Sequence, residues 1–173
     1  PFLGVRQVTG VPLDDLLPFV NETALFATRW GYHRKGLSPE RHAALLNDEA
    51  RPRYSALLQR VRDEQLLDAA VSYGYFRVQA AGETLRLEAP GGAVEFAFPR
   101  QTFAPGLCIA DYFKTAAEGG DLVGAFVVTV GHRLPAAIEA LRAADRYQDY
   151  LLLHGLSVEL AEALAACWHA RMR

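Results

Sequence analysis

Residues 121–131, with the sequence DLVGAFVVTVG, contain a stretch at 123–130 that has no charged side chain. Successive side chains of a β-strand point to opposite faces of the sheet, so the two faces of this stretch can be compared. Both are apolar, with Val123, Ala125 and Val127 on one face and Phe126, Val128 and Val130 on the other. This pattern is typical of a strand that is buried on both sides. We therefore predict that it lies in the middle of a sheet, with other chain covering each face.

Further strands are predicted before this stretch. The sequence FLGVRQV at 2–8 predicts a first strand, and residues 69–98 predict three more. Turns near Gly82 and at 90–92 separate these three strands. Within them, apolar residues alternate with charged or hydroxyl side chains, as in TLRLE at 84–88. One face of each strand is therefore expected to be packed, and the other to be wetter or covered by helices.

Proline and capping residues mark the first helices. The sequence PLDD at 12–15 predicts a helix start, and Pro18 is expected to end that helix early. Residues 21–32 predict a short helix or a turn onto the core. A longer helical region follows Ser38, which can cap it, and Pro52 is expected to kink or divide that region.

The chain after Gly131 is also predicted to be helical. Gly155 is expected to interrupt the helix, and Ser157 to cap a last one with Glu159 in its first turn. The apolar stripe of that last helix is predicted at Val158, Leu160, Ala161, Leu164, Ala165 and Trp168. Its other side is predicted to carry Glu159, Glu162, Ala166, His169 and Arg173.

Composition limits the class of protein. The 173 residues predict a single domain over 1–173, and the net charge of −2 gives no indication of a nucleic-acid partner. Two cysteines, Cys108 and Cys167, make no disulfide framework and are expected to be small buried residues. No charged and apolar leader and no apolar run of about 20 residues is present, so we expect a cytoplasmic protein and no membrane partner. Both ends look abrupt, and we expect a piece of a longer chain.

The chain has few candidates for chemistry. It contains no Gly-rich phosphate loop and no serine elbow. Cys167 and His169 are two apart on a predicted helix and so face apart, and we predict no metal site. His132 is expected to be a solvated turn residue. Asp111 lies among apolar residues and is expected to cap a helix. We predict no catalytic residue.

Short motifs along nearly the whole chain resemble those of a known family. They are Phe2–Val5, Gly74–Phe76, Arg100-Gln101, Cys108–Tyr112, Gly124–Thr129, Leu160–Ala163 and the His-x-Arg-x-Arg pattern of His169–Arg173. In the same order they resemble the C-terminal activation domain of cobalamin-dependent methionine synthase, which binds S-adenosylmethionine. Each motif alone is weak evidence, but the occurrence of all of them in the same order is hard to obtain by chance.

The resemblance implies an α+β fold: a twisted, mainly antiparallel sheet with surrounding helices, shaped like a helmet. It implies part of a methyltransferase that carries a methyl group from methyltetrahydrofolate to homocysteine on cobalamin. When the cobalamin is oxidised to cob(II)alamin, such a domain caps the cobalamin-binding domain and offers the methyl group of S-adenosylmethionine. The electron comes from a flavodoxin-type reductase. The cobalamin itself is held by the partner domain and not by this chain.

The same resemblance implies three residues for S-adenosylmethionine. Glu162 matches a family glutamate, and its carboxylate suits the amino group of the ligand. Asn21 stands where the family has an aspartate, so it keeps an acceptor oxygen and loses the charge. Glu22, next to it, is a candidate substitute.

One family motif is not in this sequence. The pattern Arg-x-x-x-Gly-Tyr-Pro-Ala-Cys follows the last helix in the family, and this chain ends at Arg173 before it. Two hypotheses therefore stay open. The chain is an activation module that binds S-adenosylmethionine, or it is a cap module of a corrinoid protein that no longer binds it.

Overall fold

The structure, a computed structural model, describes residues 2–173. The chain divides into two compact units. The first holds the residues up to Gln7 and Ser72–Val127, and the second holds Val8–Val71 and Val128–Arg173. Each is described by itself below. The prediction of one domain over 1–173 stays a prediction.

Five strands form one sheet. They are β1 (Gly4–Thr9), β2 (Ala70–Ala81), β3 (Thr84–Ala89), β4 (Gly92–Ala97) and β5 (Asp121–Thr129). The strand order is β1-β2-β3-β4, and β5 pairs with β2. The hairpins β2–β3 and β3–β4 are antiparallel, with Val78 opposite Leu87 and Arg86 opposite Glu95. The predicted α+β class and mainly antiparallel sheet are confirmed.

The first unit has a small core under its hairpins. Its buried residues come from β2, β3 and the loop before β5: Val78, Ala80, Leu85, Cys108 and Ala110. Leu85 and Leu87 face this core, as the alternation predicted. A short 3₁₀ helix, Ile109–Tyr112, stands where a short helix was expected.

The prediction for residues 123–130 is only half right. They do form most of β5, but no residue of that strand is fully buried, and Val127 is 73% exposed. Its described strand partner is β2 alone, so β5 does not lie in the middle of the sheet. A β-branched, uncharged sequence favours a strand. It does not encode which neighbours will cover that strand.

The second unit is helical. Its α-helices are α1 (Leu13–Leu16), α2 (Pro39–Leu45), α3 (Arg51–Asp63), α4 (Arg133–Ala143) and α5 (Tyr147–Met172). A 3₁₀ turn, Leu17–Phe19, follows α1 at Pro18, and a helical segment, Ala24–Arg29, follows that turn. Ser38 accepts a hydrogen bond from the Arg41 amide at 3.3 Å and so caps α2 as predicted. A wide helical turn, Leu46–Ala50, joins α2 to α3 just before Pro52.

The core of this unit lies between the segment Ala24–Arg29 and the helices α3, α4 and α5. Its least exposed members are Leu25, Ala50, Leu134, Leu153, Leu156 and Leu160. The apolar stripe predicted on the last helix is buried at Leu160, Leu164 and Trp168. Both cysteines are buried and free, Cys167 in this helix and Cys108 in the first unit.

The predicted break at Gly155 is wrong, because α5 runs without interruption from Tyr147 to Met172. Ser157 is therefore buried inside the helix and caps nothing. A Cβ atom at Gly155 would lie 2.9 Å from Trp30 Nε1 and 3.0 Å from Arg29 Cβ. The glycine is needed for this close packing, which outweighs its helix propensity penalty of about 1 kcal/mol. By length and composition α5 could cross a membrane, yet 56% of its most apolar stretch is buried inside the protein.

Candidate functional site

All three predicted ligand-binding residues lie in the second unit. Asn21 and Glu22 lie in residues 21–29, which we call segment 21–29, and Glu162 lies on α5. Segment 21–29 packs along α5, because Leu25 and Phe26 share the core with Leu156 and Leu160. At the surface above this packing, Arg29 Nη2 donates to Glu162 Oε1 at 2.6 Å. The arginine is 35% exposed and the glutamate 58%, so a ligand has access to both.

Asn21 is held by hydrogen bonds at both its side chain and its backbone. Its Oδ1 accepts from the Ala24 amide at 3.0 Å, which is the usual role of asparagine before a helix. Its own amide donates to Glu159 Oε1 at 2.9 Å. The Asn21 side chain is exposed. The side-chain NH₂ group is therefore at the surface while the backbone is fixed from below.

Glu22 is directed toward α3 rather than toward α5. Its Oε2 accepts from Arg51 Nη1 at 2.8 Å, and the arginine side chain is 53% exposed. This ion pair neutralises the Glu22 charge. Whether Glu162, Asn21 or Glu22 binds a ligand stays a prediction.

Glu159 is a residue of this site that the sequence analysis placed wrongly. It was predicted on the polar side of the last helix, yet it is only 1% exposed. Its Oε1 accepts from Asn21, and its Oε2 has no hydrogen-bond partner among residues 2–173. No sequence signal distinguished it from Glu162, because residues three apart lie on one helix face and both were predicted on the polar side.

Aromatic residues surround the buried end of the site. The Phe26 ring of segment 21–29 packs against the ring of Trp30, the next residue after that segment, at 5.5 Å, and the Tyr54 ring meets Phe26 edge to face at 5.8 Å. Trp30 Nε1 donates to the Leu152 carbonyl of α5 at 3.0 Å. Burial raises the pKa of Tyr54, and the nearby negative charges of Glu22 and Glu159 raise it further. The phenol is therefore harder to ionise than that of a tyrosine in water.

The site therefore contains charged side chains but no recognisable set of catalytic residues. It offers carboxylates from Glu22, Glu159 and Glu162 and guanidinium groups from Arg29 and Arg51. Such groups suit the charged end of an amino acid, with its ammonium and its carboxylate. Among residues 2–173, no cluster of three or more His, Cys, Asp or Glu side chains is placed to hold a metal ion.

A second polar arrangement lies in the first unit and involves the Arg100 and Asp111 of the sequence motifs. The two side chains form a bidentate pair at 2.6 and 2.7 Å, and Arg100 also donates to the Gly106 carbonyl at 2.8 Å. Asp111 accepts from the Cys108 amide at 3.2 Å, so it caps the 3₁₀ helix as expected and has an ionic partner as well. The Arg100 hydrogen bonds lower the pKa of Asp111 below its usual range. This pair closes the loop between β4 and β5. His132, as predicted, lies exposed in the turn before α4.

Comparisons with known proteins agree with this architecture. A family model described as "Vitamin B12 dependent methionine synthase, activation domain" matches residues 12–173. The methionine synthase of Mycobacterium tuberculosis (strain ATCC 25618 / H37Rv) is 38% identical over 186 residues, covering 100% of this chain and 16% of that protein. The methionine synthase of Mycobacterium leprae (strain TN) is 36% identical, covering 100% of this chain and 15% of that protein. The chain thus spans about a sixth of the length of these relatives.

A solved structure has the same fold. It is described as the MetH reactivation domain bound to AdoHcy, and it matches with a TM-score of 0.80 over 98% of this chain and 55% of that one. Sequence identity to it is 23%, so the likeness speaks for the fold.

Proposed function

This chain belongs to the family of vitamin B12-dependent methionine synthase activation domains, and on that premise we propose that it binds S-adenosylmethionine and presents its methyl group to a cobalamin. The residues proposed to hold the ligand are Glu162 and Asn21, with Glu22 beside them. The proposal makes the chain part of a methyltransferase, one that transfers a methyl group from 5-methyltetrahydrofolate to homocysteine.

One observation carries the proposal: two elements far apart in the chain place charged groups side by side. Arg29 of segment 21–29 pairs with Glu162 of α5, and Asn21 lies over Glu159 of the same helix. An ammonium group can take the place of the guanidinium on the Glu162 carboxylate, while the freed Arg29 donates hydrogen bonds to the ligand carboxylate. Because the pair is exposed, this exchange needs little desolvation.

The scarcity of catalytic groups fits this chemistry. S-adenosylmethionine supplies an electrophilic methyl group bonded to a sulfonium sulfur. Transfer of that methyl group leaves a neutral thioether and requires no proton transfer. What remains for the protein is to hold and orient the ligand, which is catalysis by placement. Exposed charged pairs on a packed helix are suited to that task. The described residues of this site include no nucleophile with an adjacent base.

The proposal implies partners. A cobalamin-binding domain, in the same chain or a partner chain, holds the cobalamin, and a flavodoxin-type reductase delivers the electron for its reactivation. A cytoplasmic location suits both partners. We propose no nucleic-acid or membrane partner.

The alternative is a cap module that docks on a corrinoid protein without S-adenosylmethionine. The observation in its favour is that every predicted ligand residue already has an internal partner. Glu162 pairs with Arg29, Glu22 with Arg51, and Asn21 with Ala24. In addition, an uncharged Asn21 stands where the family has an aspartate.

Calorimetric titration with S-adenosylmethionine separates the two functions. It is carried out on this chain and on a version extended past Arg173. Binding by either form supports the activation module. If both forms fail to bind while keeping their helical circular dichroism, the proposed binding of S-adenosylmethionine is overturned and the cap module is the remaining hypothesis.

A further inference from the structure

The carboxylates of the candidate site differ in whether a cationic side chain neutralises them. Glu162 is neutralised by Arg29 at 2.6 Å and Glu22 by Arg51 at 2.8 Å. Glu159 has no cation within ion-pair distance among residues 2–173, and only a neutral backbone amide bonds to it. When both ion pairs are counted as neutral, Glu159 is the carboxyl group of this site that no cation neutralises among residues 2–173.

Burial makes this charge effective at a distance. Glu159 is 1% exposed, and its Oε1 accepts a hydrogen bond from the Asn21 amide. Water screens a charge poorly in such surroundings, so its field reaches further than that of a surface carboxylate. A buried carboxylate with an unpartnered oxygen is costly, and such groups are concentrated at functional sites.

We infer that Glu159 is a specificity-determining residue, which makes the site favour the sulfonium of S-adenosylmethionine over the thioether of S-adenosylhomocysteine. The inference rests on the proposed function. S-adenosylmethionine carries an ammonium, a carboxylate and a sulfonium, and so has one net positive charge. S-adenosylhomocysteine lacks only the methyl group and the sulfonium charge, and is neutral overall. An uncompensated negative charge attracts the first and leaves the second almost unaffected, so the used ligand is released.

The position of Glu159 next to the proposed ligand site supports an electrostatic effect of this residue on the ligand. Glu159 lies directly beneath Asn21, whose exposed side chain belongs to the proposed ligand site. Glu159 needs no contact with the ligand to act in this way.

The test is the ratio of two affinities measured on Glu159→Gln. Glutamine keeps the shape and an acceptor for the Asn21 amide but removes the charge. In whichever form of the protein binds S-adenosylmethionine, we expect its Kd to rise about tenfold, while the Kd of S-adenosylhomocysteine changes less than twofold. A loss of structure would weaken both ligands together and would leave the ratio unchanged. Glu139→Gln removes a surface charge on α4 and serves as the control, with both affinities retained.

A second variant covers the case in which Glu159→Gln does not fold. Asn21→Asp adds a carboxylate at an exposed position where aspartate is an equally good helix cap. It should increase the preference for S-adenosylmethionine over S-adenosylhomocysteine, and it should restore that preference in the Glu159→Gln background.

The outcomes are distinct. If no form of the protein binds S-adenosylmethionine, the proposed function fails and this inference fails with it. If the protein binds S-adenosylmethionine but Glu159→Gln leaves the affinity ratio unchanged, only this inference is overturned. Where Glu159→Gln does not fold, an unchanged ratio in Asn21→Asp overturns it in the same way. A changed ratio in the expected direction supports it.

Discussion

Gly155 of α5 faces Trp30 so closely that a Cβ atom at position 155 would lie 2.9 Å from the indole Nε1. That nitrogen donates to the Leu152 carbonyl of the same helix, so the ring cannot easily move away. This contact sets the distance between segment 21–29 and α5, and therefore between Arg29 and Glu162.

Gly155→Ala is the direct test of this contact. Helix propensity alone predicts that alanine stabilises α5 by about 1 kcal/mol. The clash with Trp30 and Arg29 predicts the opposite, a loss of about 1–3 kcal/mol in the free energy of unfolding. Urea unfolding followed by circular dichroism decides between the two by sign. A stabilised variant would show that the packing at Gly155 is looser than described.

Glu162→Gln tests the ligand role of the exposed ion pair. In the form that binds S-adenosylmethionine, it should weaken binding by about 1–3 kcal/mol, the scale of a hydrogen bond to a charged group. Stability should change by less than about 1 kcal/mol, because the pair is at the surface. Glu64→Gln, which breaks the surface pair with Arg60, is the matched control and should leave binding as it is. An unchanged calorimetric affinity in Glu162→Gln would remove Glu162 from the site.

Asp111→Asn tests the pair that closes the loop before β5. Because the pKa of Asp111 is lowered in the folded protein by Arg100, its stabilising effect is present above the unfolded pKa of about 3.9 and is lost as pH falls through the lower folded value. The variant should therefore melt below the wild type at neutral pH, and the difference in Tm should shrink below about pH 3.9. Equal melting temperatures at pH 7 would contradict a stabilising pair. Glu95→Gln on β4 controls for the loss of a charge in the same unit.

Tyr54→Phe tests the enclosure of the site at high pH. The pKa of Tyr54 is raised in the folded protein by burial, so folding favours the neutral phenol. The contribution of Tyr54 to the free energy of unfolding is therefore fully present below the unfolded pKa of about 10. It is lost as pH rises through the higher pKa of the folded state. Phenylalanine cannot ionise, and we expect the alkaline unfolding midpoint of the variant to move to higher pH. A midpoint that stays in place would mean that Tyr54 ionises as freely as it does in the unfolded chain.

Local sequence signals predicted most of the secondary structure. Turn glycines at 82 and 91–92 separate β2, β3 and β4, and Ser38 caps α2. These signals work because turns and caps depend on residues within a few positions of each other. The ordered family motifs then indicated the fold as a whole.

Signals that depend on distant neighbours failed. A glycine at position 155 is typical of a helix break. Here it packs against the indole of Trp30, a residue far away in the chain, and the helix continues. The apolar pattern of β5 predicted cover on both faces, and the described residues do not provide it. Helix and strand propensities carry no information about such neighbours.

The amino-acid sequence by itself determined most of the elements, their order and the family, because propensity, capping and motif order depend on residues close together in the chain. Only the tertiary structure decided that Glu159 is buried and Glu162 exposed on the same helix face. That difference is set by Asn21, whose amide meets Glu159 across 138 positions of sequence. Which charges in the site are neutralised, and which one is not, is therefore a property of packing.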